Sequence, residues 1–158
     1  MAKKIFWLTI TATALFIADR LTKYLILKLP ANEGVLGLKF NLVYNHNLSF
    51  SLPLPNLAVG LLAIVMILFL VWFLIRNLAN RLSWPLSLMI VGALSNLIDR
   101  FKFGGVIDFI NLEPWPSFNL ADAYIITGAL LIIILFRKNY FPALKTDSGS
   151  LTRQADSK

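Results

Sequence analysis

Two aspartates in this sequence lie where a carboxylate needs a reason. Asp108 sits in Gly104-Gly105-Val106-Ile107-Asp108-Phe109-Ile110, with no basic neighbour nearer than Lys102. In such apolar company its pKa is raised unless another group pairs with it. Asp122, in Phe118-Asn119-Leu120-Ala121-Asp122, is the obvious companion from another segment. Two carboxyl groups within hydrogen-bonding reach cannot both ionise, so they share a proton. One then acts as general base on a water while the other donates to the carbonyl oxygen of the bond being cut. That is aspartyl-protease chemistry, and it requires no Ser, Cys, His or metal. The composition agrees. There is no Cys, which excludes disulfides, thiolate metal sites and a Cys nucleophile, and His46 is the only histidine. No Gly-rich phosphate loop, metal-ligand cluster or nucleophile elbow is present.

Further polar residues recur at helical spacing. Asp19 and Lys23 are four apart and can pair, as are Asn96 and Arg100, while Asn119 and Asp122 are three apart. Each has a structural use as well as a chemical one. Asp19–Lys23 serves equally as an ion pair inside a membrane. Asn119 suits the N-cap of a helix, with Asp122 completing a capping box. Arg20 and Lys102 read as anchors reaching lipid phosphates, Asp99 with Arg100 as a local charge pair, and His46 as a surface histidine.

The elements that position these residues follow from hydropathy. Hydrophobic residues make up 58% of the chain and charged residues 15%, against about 25% charged in an ordinary soluble domain. A bilayer core requires roughly 20 apolar residues in a helix, and four stretches approach this: 5–27, 57–75, 84–101 and 121–136. Ser83 is placed to cap the third, with Pro85 in its first turn. The first continues through Asp19-Arg20-Leu21-Thr22-Lys23 with no small-residue cleavage site, so it reads as a retained helix rather than a removed signal. The fold class expected is an all-α membrane protein, a four-transmembrane-helix bundle with a small outer β element at about 28–56. The bundle occupies 1–141, and 142–158 form a polar, disordered cytoplasmic tail. With the N-terminus inside, Lys3, Lys4, Arg76, Arg81, Arg137, Lys138, Lys145, Arg153 and Lys158 all fall on the inner side, opposed only by Asp147 and Asp156. The net charge of +7 therefore reports topology and not a nucleic-acid partner. Both termini are cytoplasmic. Asp19 lies about 21 Å of helix rise beyond Ile5, and Glu33, Asp99, Asp108, Glu113 and Asp122 share its outer side, so a site is expected near the outer surface. Trp115 and Phe118 suit the headgroup level.

Five blocks together carry a resemblance: Asp19-Arg20-Leu21-Thr22-Lys23, Tyr44-Asn45-His46-Asn47-Leu48-Ser49-Phe50-Ser51, Gly92-Ala93-Leu94-Ser95-Asn96-Leu97-Ile98-Asp99-Arg100, Val106-Ile107-Asp108-Phe109 and Phe118-Asn119-Leu120-Ala121-Asp122. In this order and spacing the chain resembles the bacterial lipoprotein signal peptidases (signal peptidase II) over about residues 5–137. The resemblance implies that Asp108 and Asp122 are the catalytic pair. It implies that Asn45, Asn96, Arg100 and Asn119 hold the substrate backbone and orient the site, and that Asp19 and Lys23 are a structural pair. The implied substrate is a prolipoprotein signal peptide, cut within the bacterial inner membrane on the amino side of a diacylglyceryl-cysteine. No cofactor and no metal are implied, membrane lipid is the other partner, and a monomer is expected. Three positions depart from the family pattern: Asn47, Val91 and Ser95 stand where the family usually has glycine. Two other uses of the same residues remain: a small transport or channel subunit with a polar vestibule lined by Asp19, Lys23 and Arg100, and a paralogue that binds lipoprotein precursors without cutting them.

Overall fold

The computed structural model describes residues 1–28, 34–35, 38–39, 42–45, 56–112 and 114–140. The expectations for Glu33, His46, Asn47, Glu113, the remainder of the 28–56 segment and the tail lie outside the described residues. Four long helices dominate. Helix α1 spans Ala2–Ile26 (25 residues), α2 Asn56–Arg76, α3 Ser83–Phe103 and α4 Leu120–Tyr140, the last three of 21 residues each. Twenty-one residues rise about 31 Å, the thickness of a hydrocarbon core.

Three of the four, α1, α2 and α4, are both long and apolar enough to cross a membrane, with mean hydropathies of 1.3, 3.0 and 2.0. Helix α3 is as long but more polar, and its position explains why. It packs against each of the other three helices, whereas α1 and α4 touch each other only sparsely. Ser83, Ser87, Val91, Ser95 and Asp99 recur every fourth residue and are all buried, forming a small and polar stripe turned into the bundle. Small residues let helices approach closely, and polar ones find partners across the seam.

The α3–α4 seam is closest at two glycines. A Cβ on Gly92 would run into the Ala121 carbonyl oxygen, and one on Gly128 would lie 2.6 Å from the Pro85 carbonyl oxygen. Gly92 therefore lets the first turn of α4 rest directly on α3. Ser83 does not cap α3 as expected. The N-cap is Leu82, and the Ser83 hydroxyl turns back to donate to the Asn80 carbonyl at 2.9 Å. Ser83 is already helical, so its side chain serves the preceding turn instead.

At the other end α3 stops on Gly104, whose φ of +70° is left-handed and whose N–H donates to the Arg100 carbonyl at 3.0 Å. The chain then reverses into strand β4. The short strands pair antiparallel in two sheets: β1 (Gly34–Val35) with β2 (Leu38–Lys39), and β3 (Val43–Asn45) with β4 (Val106–Asp108). The second sheet sets Val43 opposite Asp108 and Asn45 opposite Val106. A bridge between Ile110 and Phe118 then folds the chain back to the start of α4.

Candidate active site

Asp108 ends β4 at 2% exposure, under the bundle end where α1, α3 and α4 meet. Its Oδ2 accepts from Asn45 Nδ2 at 3.1 Å, across the β3–β4 pair, and its Oδ1 accepts from Asn119 Nδ2 at 2.7 Å. Asp122 lies in the first turn of α4. Its Oδ1 accepts from Asn96 Nδ2 at 2.8 Å and its Oδ2 from the Asn119 backbone N–H at 3.2 Å. Asn119 Oδ1 in return accepts the Asp122 N–H at 3.0 Å. The expected capping box is thus formed, and the Asn119 carbonyl accepts the first helical bond, from Ala123. Capping does not exhaust the hydrogen bonds of Asn119. One asparagine caps α4 through its oxygen and reaches the other carboxylate through its nitrogen.

Asn119 is thus hydrogen-bonded to both carboxylates. Burial pushes the Asp108 carboxyl up from 3.8 to about 6, and the nearby Asp122 charge adds to this. The hydrogen bonds from Asn45 and Asn119, and the Lys23 charge, act in the opposite direction. Arg100, expected at the site, lies close enough for its charge to act on both carboxylates.

Behind the carboxylates lies a buried ion network. Asp19 and Lys23 pair as expected, at 3.0 Å and both completely buried, but the pair is half of a larger set. Lys23 Nζ also contacts Asp99 Oδ2 at 2.7 Å and donates to Asn96 Oδ1 at 3.1 Å. Three acceptors satisfy its three N–H bonds. Arg20 Nη1 meets Asp99 Oδ1 at 2.5 Å. This corrects two expectations. Arg20 turns one guanidinium nitrogen inward to Asp99 instead of reaching only outward, and Asp99 pairs with Arg20 and Lys23, not with Arg100: neighbours on a helix point about 100° apart, and Asp99 turns toward α1. Two cations and two carboxylates balance, which is the condition under which charge tolerates burial.

The network connects to the surroundings of Asp122 by two routes. Lys23 can only donate, so it holds the Asn96 amide with its oxygen inward and its nitrogen toward Asp122. Asp19 Oδ1 accepts the Ala121 N–H at 2.9 Å, giving α4 a cap from another helix. Sequence reasoning missed Asp99, Arg20 and this cross-helix cap. The available signal was that Ser95 and Asp99, four apart, share one face of α3. Among the described residues no cluster of His, Cys, Asp and Glu could hold a metal ion.

The profile of the family described as "Signal peptidase (SPase) II" matches residues 11–137. The chain belongs to the signal peptidase II family. It is 35% identical over 143 residues to the lipoprotein signal peptidase of Thermodesulfovibrio yellowstonii, covering 84% of this chain and 96% of that protein. The lipoprotein signal peptidase of Moorella thermoacetica is 39% identical over 129 residues, covering 72% and 81%. A bacterial membrane enzyme solved by the in meso method at 2.3 Å superposes with a TM-score of 0.79 at 27% identity, over 90% of this chain and 94% of that one. The protein is therefore an aspartic-type signal peptidase of the inner membrane, a hydrolase that removes signal peptides from lipoprotein precursors.

Proposed function

We propose that Asp108 and Asp122 together activate the water that cleaves the precursor, on the amino side of its diacylglyceryl-cysteine. The observation that carries this is Asn119, which donates from its side chain to one carboxylate and from its backbone to the other. Two acids so held share a proton, one taking a proton from water and the other protonating the carbonyl oxygen as it gains charge. With its value near 6, Asp108 holds a proton to higher pH than an ordinary aspartate. Asn45 and Asn119 orient Asp108, Asn96 and Asn119 orient Asp122, and Arg100 supplies positive charge beside the developing oxyanion. Asp19 and Lys23 hold this framework.

In this reading α3 is a fourth span, shielded by its neighbours, and the dyad lies near the outer face. Two features support the orientation. Asp19, Asn96 and Asp122 occupy one end of the bundle. Lys4 donates to the Asn80 carbonyl at 2.5 Å, gathering Lys3, Lys4, Arg76 and Arg81 at the opposite end. Both termini are then cytoplasmic by the positive-inside rule. The unit we take to act is a monomer in lipid.

The test is cleavage of a diacylglyceryl-modified prolipoprotein by reconstituted protein. Asp108→Asn and Asp122→Asn should each fold and lose about 10²–10⁴-fold in kcat. Full activity in either would end the dyad assignment, and binding without cleavage by wild type would favour a non-cutting paralogue.

A further inference from the structure

Ser95 is completely buried on α3. Its hydroxyl donates to Asp19 Oδ2 at 2.5 Å and accepts from Arg20 Nη1 at 3.2 Å, while its carbonyl accepts the same nitrogen at 3.3 Å. The ion pairs of this network are already balanced without it, so charge neutrality alone gives the hydroxyl no task. Geometry does. A carboxylate can swivel about its Cβ–Cγ bond unless both oxygens are fixed. Asp19 Oδ1 holds the Ala121 N–H, so the orientation of α4 depends on what holds Oδ2. Lys23 is one donor to Oδ2, but its flexible ammonium is shared with Asp99 and Asn96. Ser95 is the other, on a short side chain with one rotatable carbon–carbon bond, rooted in the helix on which α4 rests. Three residues before it, Gly92 receives the Ala121 carbonyl. Ala121 is thus held at both backbone groups, its carbonyl side by contact with α3 and its N–H by a carboxylate that Ser95 orients.

We propose that Ser95 is a positioning residue for the hydrolysis: its hydroxyl orients Asp19, which seats the first turn of α4 and so places Asp122. This rests on the reading that Asp122 is half of the catalytic dyad. The role predicts an order of variants that packing does not. Ser95→Ala keeps a methyl group in the space and removes the donor. Ser95→Gly removes the donor but opens room for a water, with Asp19 Oδ2 as acceptor and Arg20 Nη1 as donor. Helix propensity and cavity filling rank alanine as the milder change, because glycine is the poorer helix former. Hydroxyl function ranks it as the harsher.

The experiment measures kcat, KM and thermal midpoint for both variants in lipid vesicles with a diacylglyceryl-modified prolipoprotein. Ser95→Ala should lower kcat about tenfold with KM within about twofold, because misplacement of a reacting group acts on the chemical step and leaves substrate capture alone. Ser95→Gly should keep kcat within about threefold of wild type, the water replacing the hydroxyl. An alanine variant as fast as or faster than the glycine variant overturns the proposal. Should alanine not be recovered folded, Ser95→Cys, which fills the space with a poor donor, takes its place: kcat below that of Ser95→Gly supports the proposal, and kcat equal to or above it overturns it. Asp122→Asn is assayed alongside. Full activity there ends both readings, whereas an inactive Asp122→Asn with the wrong Ser95 order ends only this one.

Discussion

Along α2, Leu57, Leu61, Val65, Leu68 and Trp72 are each more than half exposed, while at the bundle end Asp19, Lys23, Asp99 and Asn119 are completely buried. A soluble protein shows the reverse arrangement. The helix with a mean hydropathy of 3.0 owes its stability to lipid, which accepts apolar side chains without cost, and to a backbone that satisfies itself. The bundle end owes its order to directional bonds, because a polar group there has no water to fall back on. Substitutions in the first region should therefore be cheap and local, and in the second costly and functional.

The largest effect tests this contrast directly. Lys23→Met leaves Asp19 and Asp99 with one cation between them, and breaking such a pair from one side costs about 3–5 kcal/mol. Thermal unfolding in lipid or detergent should show it, together with loss of cleavage because Asn96 is no longer oriented. A protein of unchanged stability would mean that water reaches the network. Next, Gly92→Val drives a side chain into the Ala121 carbonyl. Overpacking of this kind costs about 1–3 kcal/mol, and cleavage should fall further than stability because the first turn of α4 carries Asp122.

A subtler test uses pH. Asp108 has a folded value near 6, above the ordinary 3.8. The folded state therefore prefers the protonated form, and the stability this contributes is full below 3.8 and lost as pH rises through about 6. Two outcomes follow. At pH 7 Asp108→Asn should raise the thermal midpoint while ending cleavage. For the wild type, kcat should decline as pH rises through this range, and Asn45→Leu, which removes a bond favouring the ionised form, should move that decline to higher pH. A shift toward lower pH would contradict the role given to Asn45. Smallest of all, Leu61→Ala on the lipid face of α2 should change stability by no more than about 0.5 kcal/mol and leave kcat unaltered. A large loss there would reveal a protein contact on α2 and blur the distinction between the regions.

Local patterns were legible in the amino-acid order. The Asn119–Asp122 box and the Asp19–Lys23 pair were read correctly because both partners lie within one turn of the same helix. Ser83 was misread because capping depends on where the first turn begins, and the chain before it turns on Asn77 and Asn80. Asp99 was assigned to Arg100 because adjacency in sequence was taken for adjacency in space, whereas helix rotation sends them in different directions. That Asn45 meets Asp108 follows from the β3–β4 register, which neither strand specifies by itself.

The sequence by itself determined that this chain belongs to a membrane, which ends of its apolar runs collect the carboxylates, and that Asp108 stands in apolar company where ionisation is difficult. Hydropathy and helical spacing are properties of single segments, so they are present before folding. Tertiary structure alone decided that Asp19 caps a helix more than a hundred residues away, that Lys23 sets the Asn96 amide, and that Asn119 serves both carboxylates. Those bonds depend on how far α4 can approach α3 at Gly92 and on the rotation of each helix about its axis, and both are settled only when the helices pack.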